Sequence, residues 1–400
     1  MISSPKRSYS SGYVLGIDAT NIRIGGGLTH LIELLRHADV RSFGFSRIIV
    51  WGSRETLALL DDADWLLKQC PPALDRGIIK RSLWQRFCLA HQARRTGCDI
   101  LLVPGGNFTG EFSPIVAISQ NMLPFEWREL ARYGFSYITL RLLLLRRLQS
   151  STFDRAAGLI FLSEYSRRVI QRLFPSLSAD SCVIPHGISD RFRLPPRPQR
   201  PIHSYSLQHP FRILYVSSVD PYKHQWNLVE AVARLRLKED WPLALDLVGT
   251  VYTPSLRRLR RAMAHYDPLG KWITFHGAIE YKHLHLLYHR SDLGVFASSC
   301  ETMPNILLET MSSGLPVACS FSGPMPEILD SCGVYFDPLC PIQIASALAD
   351  LIADPLLRTT LSSESFARSH NYLWHRCASD TFSFLSSIVN RHDGHLLCAE

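Results

Sequence analysis

Two successive runs of short apolar strands, each strand followed by a helical stretch, constrain this chain more than any other feature. In the first run Tyr13–Asp18 (YVLGID), Arg47–Trp51 (RIIVW), Ile100–Val103 (ILLV), Ile115–Ser119 (IVAIS) and Gly158–Leu162 (GLIFL) are β-rich, and a helix is expected from about Thr29. The second run places strands at Arg212–Val216, Ala244–Val248, Trp272–Phe275, Leu293–Phe296, Pro316–Cys319 and Val334–Phe336. Its helices fall near Trp226–Leu237, Leu256–His265, Leu284–Arg290 and Pro304–Ser313, with a closing helical region from Pro341 to Ile388. Strands alternating with helices build parallel, doubly wound sheets. Between the runs, Pro195–Pro210 (PPRPQRPIHSYSLQHP) is too polar and proline-rich to pack a core, and is expected to be a linker. The expected fold is therefore α/β, with two Rossmann-like domains facing a central cleft, because open α/β sheets bind ligands at their strands' carboxyl ends. The expected boundaries are 1–198, 199–375 and a C-terminal helical segment, 376–400, packing back toward the first domain.

Composition removes several other classes. With 46% hydrophobic and 20% charged residues over 400 positions, the chain can fill two cores. The longest apolar block, Leu142–Leu145, is flanked by Arg141 and Arg146 and is far too short to span a bilayer. Met1–Ser11 is polar and lacks the apolar centre of a secretory signal, so a cytoplasmic location is expected. The ten cysteines form no CxxC pair and no Cys/His ligand spacing, which reads as reduced thiols. Net charge is +8, with arginines clustered at 141, 146, 147, 155, 167 and 168 and again at 257, 258, 260 and 261. The second cluster reads as a solvated helix face. The first can attract anions, and no nucleic-acid motif with interleaved aromatics accompanies it.

The richest segment is Cys300–Val317 (CETMPNILLETMSSGLPV). Pro304 suits the first turn of a helix and Gly314-Leu315-Pro316 suits its end. A helix N-terminus at a strand's carboxyl end offers N–H groups and a positive dipole end to a diphosphate. Glu301 precedes the helix and Glu309 follows eight positions later, about two turns on, which would bring the two carboxylates near one face. On their own, the first would be a dipole-compensating residue and the second a solvent-exposed one.

In this setting, Glu–x7–Glu between an apolar strand and a G-L-P-V turn resembles the donor-binding motif of the family-4 (group 1) retaining glycosyltransferases, which have the GT-B fold. The resemblance extends through most of the chain and is densest from Arg212 to Pro338. It implies that Glu309 binds the nucleotide ribose, that Glu301 contacts the donor sugar and leaving phosphate, and that the amides of Met303, Pro304, Asn305 and Ile306 face the diphosphate. Tyr215–Leu228 (YVSSVDPYKHQWNL) has the family's strand–loop–lysine–helix arrangement, in which Lys223 stabilises the departing phosphate. Ser218 stands where the family commonly has an arginine. Ser320–Ile328 (SFSGPMPEI) resembles the loop that closes on base and ribose, with Glu327 on the nucleotide side or structural. Gly25–Gly27 precedes a helix, and the family's equivalent loop, here Gly26 and Gly27, lies beside the donor phosphates. It is not a GxGxxG fingerprint. Gln120 and Asn121 occupy the acceptor-side place of a frequent His-Asp pair, and neutral amides orient hydroxyls without acting as a base. SEYSRR (163–168) and VIPHGI (183–188) also fit, and His186 is either turn-forming or catalytic. Gly249 and Gly277 end strands where another segment should approach closely.

The resemblance implies transfer of a sugar from a nucleotide-diphosphate donor to a hydroxyl of a glycan or lipid-linked glycan, with retention, and no cofactor. No Asp-x-Asp motif stands where a divalent cation would be needed, so metal independence is expected. Tyr133–Leu148 (YGFSYITLRLLLLRRL) reads either as a core helix with a basic edge or as a face that meets an anionic membrane surface, the inner face of the cytoplasmic membrane. The second reading suits cell-surface polysaccharide assembly, such as O-antigen, lipopolysaccharide or exopolysaccharide. Two alternatives stay open: a catalytically silent scaffold with this fold, favoured by Ser218, Gln120 and Asn121, and a nucleotide-sugar epimerase.

Overall fold

Thirteen strands divide into two wholly parallel sheets in the computed structural model, which describes residues 12–397 and, from 393 on, the backbone alone. Met1–Ser11 and Cys398, on which two of the expectations fall, lie outside the described residues. The first sheet contains β1 (Tyr13–Ala19), β2 (Phe45–Gly52), β3 (Leu66–Gln69), β4 (Ile100–Val103), β5 (Ile115–Ser119), β6 (Gly158–Phe161) and β7 (Asp180–Val183), in the order β3-β2-β1-β4-β5-β6-β7. The second contains β8 (Phe211–Val216), β9 (Leu243–Val248), β10 (Ile273–Phe275), β11 (Leu293–Phe296), β12 (Val317–Ser320) and β13 (Val334–Phe336), in the order β10-β9-β8-β11-β12-β13. These are the two Rossmann-like sheets expected from the sequence. In each, the strand order reverses direction next to its first strand, between β1 and β4 and between β8 and β11. Loops leaving those neighbours diverge, which opens a crevice at the carboxyl ends.

Central strands are buried on both faces. Leu15, Ile17, Ile48, Ile49, Leu101, Leu102, Val116 and Ile118 are inaccessible, as are Ile213, Leu245, Leu293, Val317 and Ala318 in the second sheet. Their continuous apolar runs are what made them legible. The unexpected strands β3 (LLKQ) and β7 (DSCV) are the two edges of the first sheet and are only partly buried. An edge strand needs no apolar run, so it leaves little trace in the sequence.

The chain forms two compact units. One takes the chain up to Pro124, Leu140–Gly187 and the chain from Trp374 on; the other takes Phe125–Thr139 and Ile188–Leu373. The chain thus changes unit at Gly187/Ile188, eleven residues before the expected 198/199 break. The reason is local: Leu194 N–H donates to Ser312 O (3.0 Å), Ser313 Oγ donates to Phe192 O (3.2 Å), and Phe192 packs edge-on against Tyr288 at 5.7 Å. The proline-rich stretch is not a free linker either. The buried Arg358 guanidinium bonds Gln199 Oε1 (3.1 Å) and Arg200 O, and Tyr205 donates to Asp292 (2.9 Å), so the stretch lies anchored along the second unit. In the first unit, the helix Trp374–Leu397 packs on the helix Gly26–Arg36 and sets Phe382 against Phe43 and Phe45.

Of the two strand-ending glycines expected to sit against another segment, Gly249 does and Gly277 does not. A Cβ on Gly249 would fall 2.0 Å from Ser217 O, at a φ of 149° that side chains rarely adopt. Gly277 has open space around it, and its φ of 69° is what calls for glycine there. Gly249→Ala should therefore cost about 3 kcal/mol or more in urea unfolding, through both overlap and backbone strain. A loss below about 1 kcal/mol would contradict this close packing.

Candidate functional site

The loops after β8 and β11, the diverging neighbours of the second sheet, bring Lys223 and Glu301 together. Lys223 Nζ pairs directly with Glu301 Oε1, although 78 positions separate them in sequence. Both side chains are largely buried, at 10% and 15% exposure, and the ammonium also lies 5.0 Å from the Tyr222 ring centroid and 5.5 Å from that of Phe296. Placing a cation over aromatic faces lowers the cost of desolvating it. Lys223 is fixed from behind as well: its N–H donates to Asp220 O (3.1 Å) and its carbonyl accepts from Tyr215 OH (2.9 Å). Ser218, where the resembled family commonly has an arginine, donates its hydroxyl to Asp220 Oδ2 (2.6 Å) and so shapes the loop.

The helix after β11 begins at Asn305 with Pro304 as its cap, one position later than expected. Two of the four amides expected to face a diphosphate are thereby corrected. Pro304 has no N–H, and the Asn305 N–H donates to Met303 O (3.1 Å). Met303 is buried, and Ile306 lies in the helix's first turn. Because residues 301–304 are not helical, the two-turn spacing does not put Glu301 and Glu309 on one face. Glu301 turns to Lys223, while Glu309 is buried in the helix and accepts from Tyr288 OH (3.3 Å) and from Tyr281. It is not solvent-exposed. Burial pushes its pKa up to about 8, against the opposing pull of the tyrosine hydroxyls and Arg191. Gly323, in the Ser320–Ile328 loop, comes within ordinary contact of the Glu301 backbone (3.8 Å from a Cβ placed on the glycine). Glu327 is partly exposed, and its carbonyl accepts from Arg368 (3.0 Å).

In the first unit the expected residues gather around a side chain that the sequence reading passed over, His30. Gly25, with φ 73°, caps the helix that starts at Gly26. A Cβ on Gly27 would stand 3.1 Å from Gln120 Oε1, and Gln120 Nε2 lies 2.7 Å from His30 Nδ1. His30 stacks on His186 at 4.7 Å and both lie near the Trp374 ring, at 6.0 and 5.6 Å. Burial, and then the neighbouring His186, hold the His30 pKa well below that of a free imidazole, so the ring is neutral and its Nδ1 accepts the Gln120 amide proton. His186 is thus a buried ring in a stack, and Asn121 accepts from Leu123 N–H (3.1 Å), forming its own turn. His30 was detectable only as the third residue after the glycine loop, about one helical turn on. Asp18, also unforeseen, is buried at the end of β1 and accepts from Thr20 Oγ1 (2.7 Å) and Gln85 Nε2 (2.5 Å), beside a small recess completed by Asn21, Gly105 and Asn107.

The paired parallel sheets and the loop chemistry of the second define a GT-B protein, and solved structures agree on the fold. Sucrose-phosphate synthase from Thermosynechococcus elongatus superposes with a TM-score of 0.71 at 16% identity, covering 97% of this chain and all of that one. HepE from Anabaena, in complex with UDP and glucose, gives 0.66 at 18% identity, covering 94% and 100%. Residues 210–354 match the family model described as glycosyl transferases group 1. Among curated relatives, O-antigen chain mannosyltransferase B of Escherichia coli is 24% identical over 235 residues, 58% of this chain and 61% of that one. The GDP-mannose-dependent alpha-(1-6)-phosphatidylinositol monomannoside mannosyltransferase of Mycobacterium tuberculosis is 27% identical over 55% and 58%. The chain therefore spans about three fifths of the length of these relatives.

Proposed function

We propose that this protein transfers a sugar from a nucleotide-diphosphate donor to a hydroxyl of a glycan or lipid-linked glycan, with retention at the anomeric carbon. The observation that carries the reading is the Lys223–Glu301 pair at the switch point of the second sheet. A departing diphosphate gathers negative charge, and a preorganised ammonium next to a helix N-terminus stabilises it without a metal ion. Glu301 then contacts the donor sugar, Glu309 the ribose, Met303 and Ile306 the phosphates, and Gly26 and Gly27 lie on the donor side of the first unit. Gln120, held by His30, with Asn121 and His186 close to it in the chain's acceptor region, orients the incoming hydroxyl. Neither amide removes a proton, which suits front-face transfer with the leaving phosphate as the base. HepE, bound to UDP and glucose, supports a nucleotide-sugar donor by analogy of fold.

Thermal stabilisation by a panel of UDP-, GDP-, ADP- and dTDP-sugars tests the reading. One nucleotide class should raise the melting temperature, and Glu309→Ala should remove the shift. No shift with any nucleotide would bring the silent scaffold forward.

An O-antigen or lipid-linked acceptor and a place on an anionic membrane are part of the proposal. They are supported by the names of the two curated relatives and by one surface of the first unit. The helix Tyr137–Arg155 is not a core helix: Leu140, Leu143 and Leu144 are exposed beside Arg141 and Arg147. Ile78, Ile79, Leu83 and Phe87 are exposed in the same unit beside Lys80 and Arg86. Among the described residues no helix is long and apolar enough to cross a membrane, so a surface attachment is the form proposed. Vesicles of anionic lipid should float the protein and neutral vesicles should not, and equal flotation would remove the charge-based part of the idea.

A further inference from the structure

Residues Phe125–Thr139 belong by their contacts to the second unit, although the chain on both sides of them belongs to the first. Within this excursion the short helix Trp127–Ala131 carries Glu129, which is buried and bridged to Arg132 at 2.7 and 3.3 Å. Ser299 Oγ lies 2.7 Å from Glu129 Oε2 and 2.8 Å from His224 Nε2, while its N–H donates to Tyr222 O (2.9 Å). A serine hydroxyl has one proton, and the carboxylate can only accept it. His224 must therefore be protonated at Nε2 and donate to Ser299, giving a chain His224 to Ser299 to Glu129. Burial and the charges of Arg132, Arg258 and Lys223 push the His224 pKa down to about 3, so the ring is neutral and one tautomer serves.

His224 directly follows Lys223 and has a left-handed backbone (φ 52°, ψ 30°) that a non-glycine residue holds only when its surroundings impose it. The chain to Glu129 supplies that imposition. A second tie runs from the same excursion: Tyr133 OH donates to Asp220 Oδ1 (3.4 Å), and Asp220 O accepts from Lys223 N–H (3.1 Å). Ser299 itself stands two residues before Glu301. Both partners of the Lys223–Glu301 pair are thus held from the excursion.

From this geometry we infer that Glu129 and Tyr133 are positioning residues, acting through Ser299, His224 and Asp220 to fix Lys223 against Glu301. The inference rests on the donor-site reading for its consequence, but not for its geometry. Neither residue reaches the paired atoms, and sequence distance hides both: Glu129 is 170 positions from Ser299 and Tyr133 is 87 from Asp220.

The test separates position from function. Ser299→Ala cuts the chain with little change in volume, and Glu129→Gln cuts it by removing charge, so one replaces the other if either fails to fold. Lys223 is labelled with limiting acetic anhydride and its rate read by mass spectrometry against exposed Lys238, with melting curves taken alongside. Each variant should raise Lys223 labelling about threefold or more, leave Lys238 unchanged, and weaken UDP or GDP binding, measured by calorimetry, about five- to tenfold. Unchanged Lys223 labelling in both variants overturns the inference. Raised labelling with undiminished nucleotide binding overturns the consequence for the donor site. Raised labelling in a protein whose wild type binds neither nucleotide upholds the positioning and refutes the donor-site reading.

Discussion

Lys223→Ala should lower the rate of sugar transfer about 10²- to 10³-fold, the range seen when one preorganised stabiliser of developing negative charge is removed. The loss should fall mainly on the chemical step, because charge on the leaving diphosphate grows as the bond to the sugar breaks. Nucleotide binding should weaken less, about tenfold. The same substitution should also destabilise the fold, since it leaves Glu301 as an unpaired carboxylate in a site where its side chain is only 15% exposed. Removing one partner of a buried pair typically costs about 3–5 kcal/mol, and the partial exposure here places the expectation at the lower end. The double variant Lys223→Met/Glu301→Leu separates the two effects. It should regain most of the stability, because no buried charge is left alone, while transfer stays lost. Initial rates and urea unfolding of the three variants decide the matter. A Lys223→Ala enzyme within about twofold of the wild-type rate would remove Lys223 from the chemistry.

How far the sequence foretold this site follows from what a linear pattern can encode. The inner strands were legible because a strand covered on both faces must be apolar throughout, and Leu293–Phe296 and Ile100–Val103 obey that rule to the residue. The edges β3 and β7 escaped because partial burial relaxes it. Lys223 and Glu301 were nominated separately, each from its own loop, by resemblance to a family motif. That the two pair with each other is a property of the strand order, which sets β8 next to β11, and no spacing along the chain expresses it. The helix-period argument for Glu301 and Glu309 failed for a related reason. It assumed a helix already formed at residue 301, whereas Pro304 caps one that starts at Asn305. His30 and Glu129 were invisible because each gains its role from partners far away, Gln120 at 90 positions and Ser299 at 170. The burial of Glu309 was the least foreseeable, because a glutamate in a sequence is expected outside.

That burial makes Glu309 the source of the second large effect. With its pKa raised to about 8, the carboxyl is mostly protonated at pH 7 in the empty site. If ribose hydroxyls donate to it, binding favours the ionised form, and the group must release its proton as the nucleotide enters. Calorimetry at pH 7 in two buffers of different ionisation enthalpy should then show close to one proton released per nucleotide sugar. Affinity should rise about tenfold per pH unit below pH 8 and level off above it, since a nucleotide sugar has no titrating phosphate in this range. Glu309→Gln should bind weakly at every pH and release no proton. Stability should run the other way in the empty protein. A carboxyl whose folded pKa lies above its unfolded value binds its proton more tightly when folded, so its contribution is complete below the ordinary glutamate value of 4.5 and is lost as pH rises through about 8. The wild type should therefore lose stability relative to Glu309→Gln between pH 5 and 9, by roughly 3–4 kcal/mol at most. Flat affinity from pH 6 to 8 without proton release would separate Glu309 from the ribose. A flat difference in unfolding free energy would mean instead that Tyr281, Tyr288 and Arg191 keep the carboxylate ionised inside the fold.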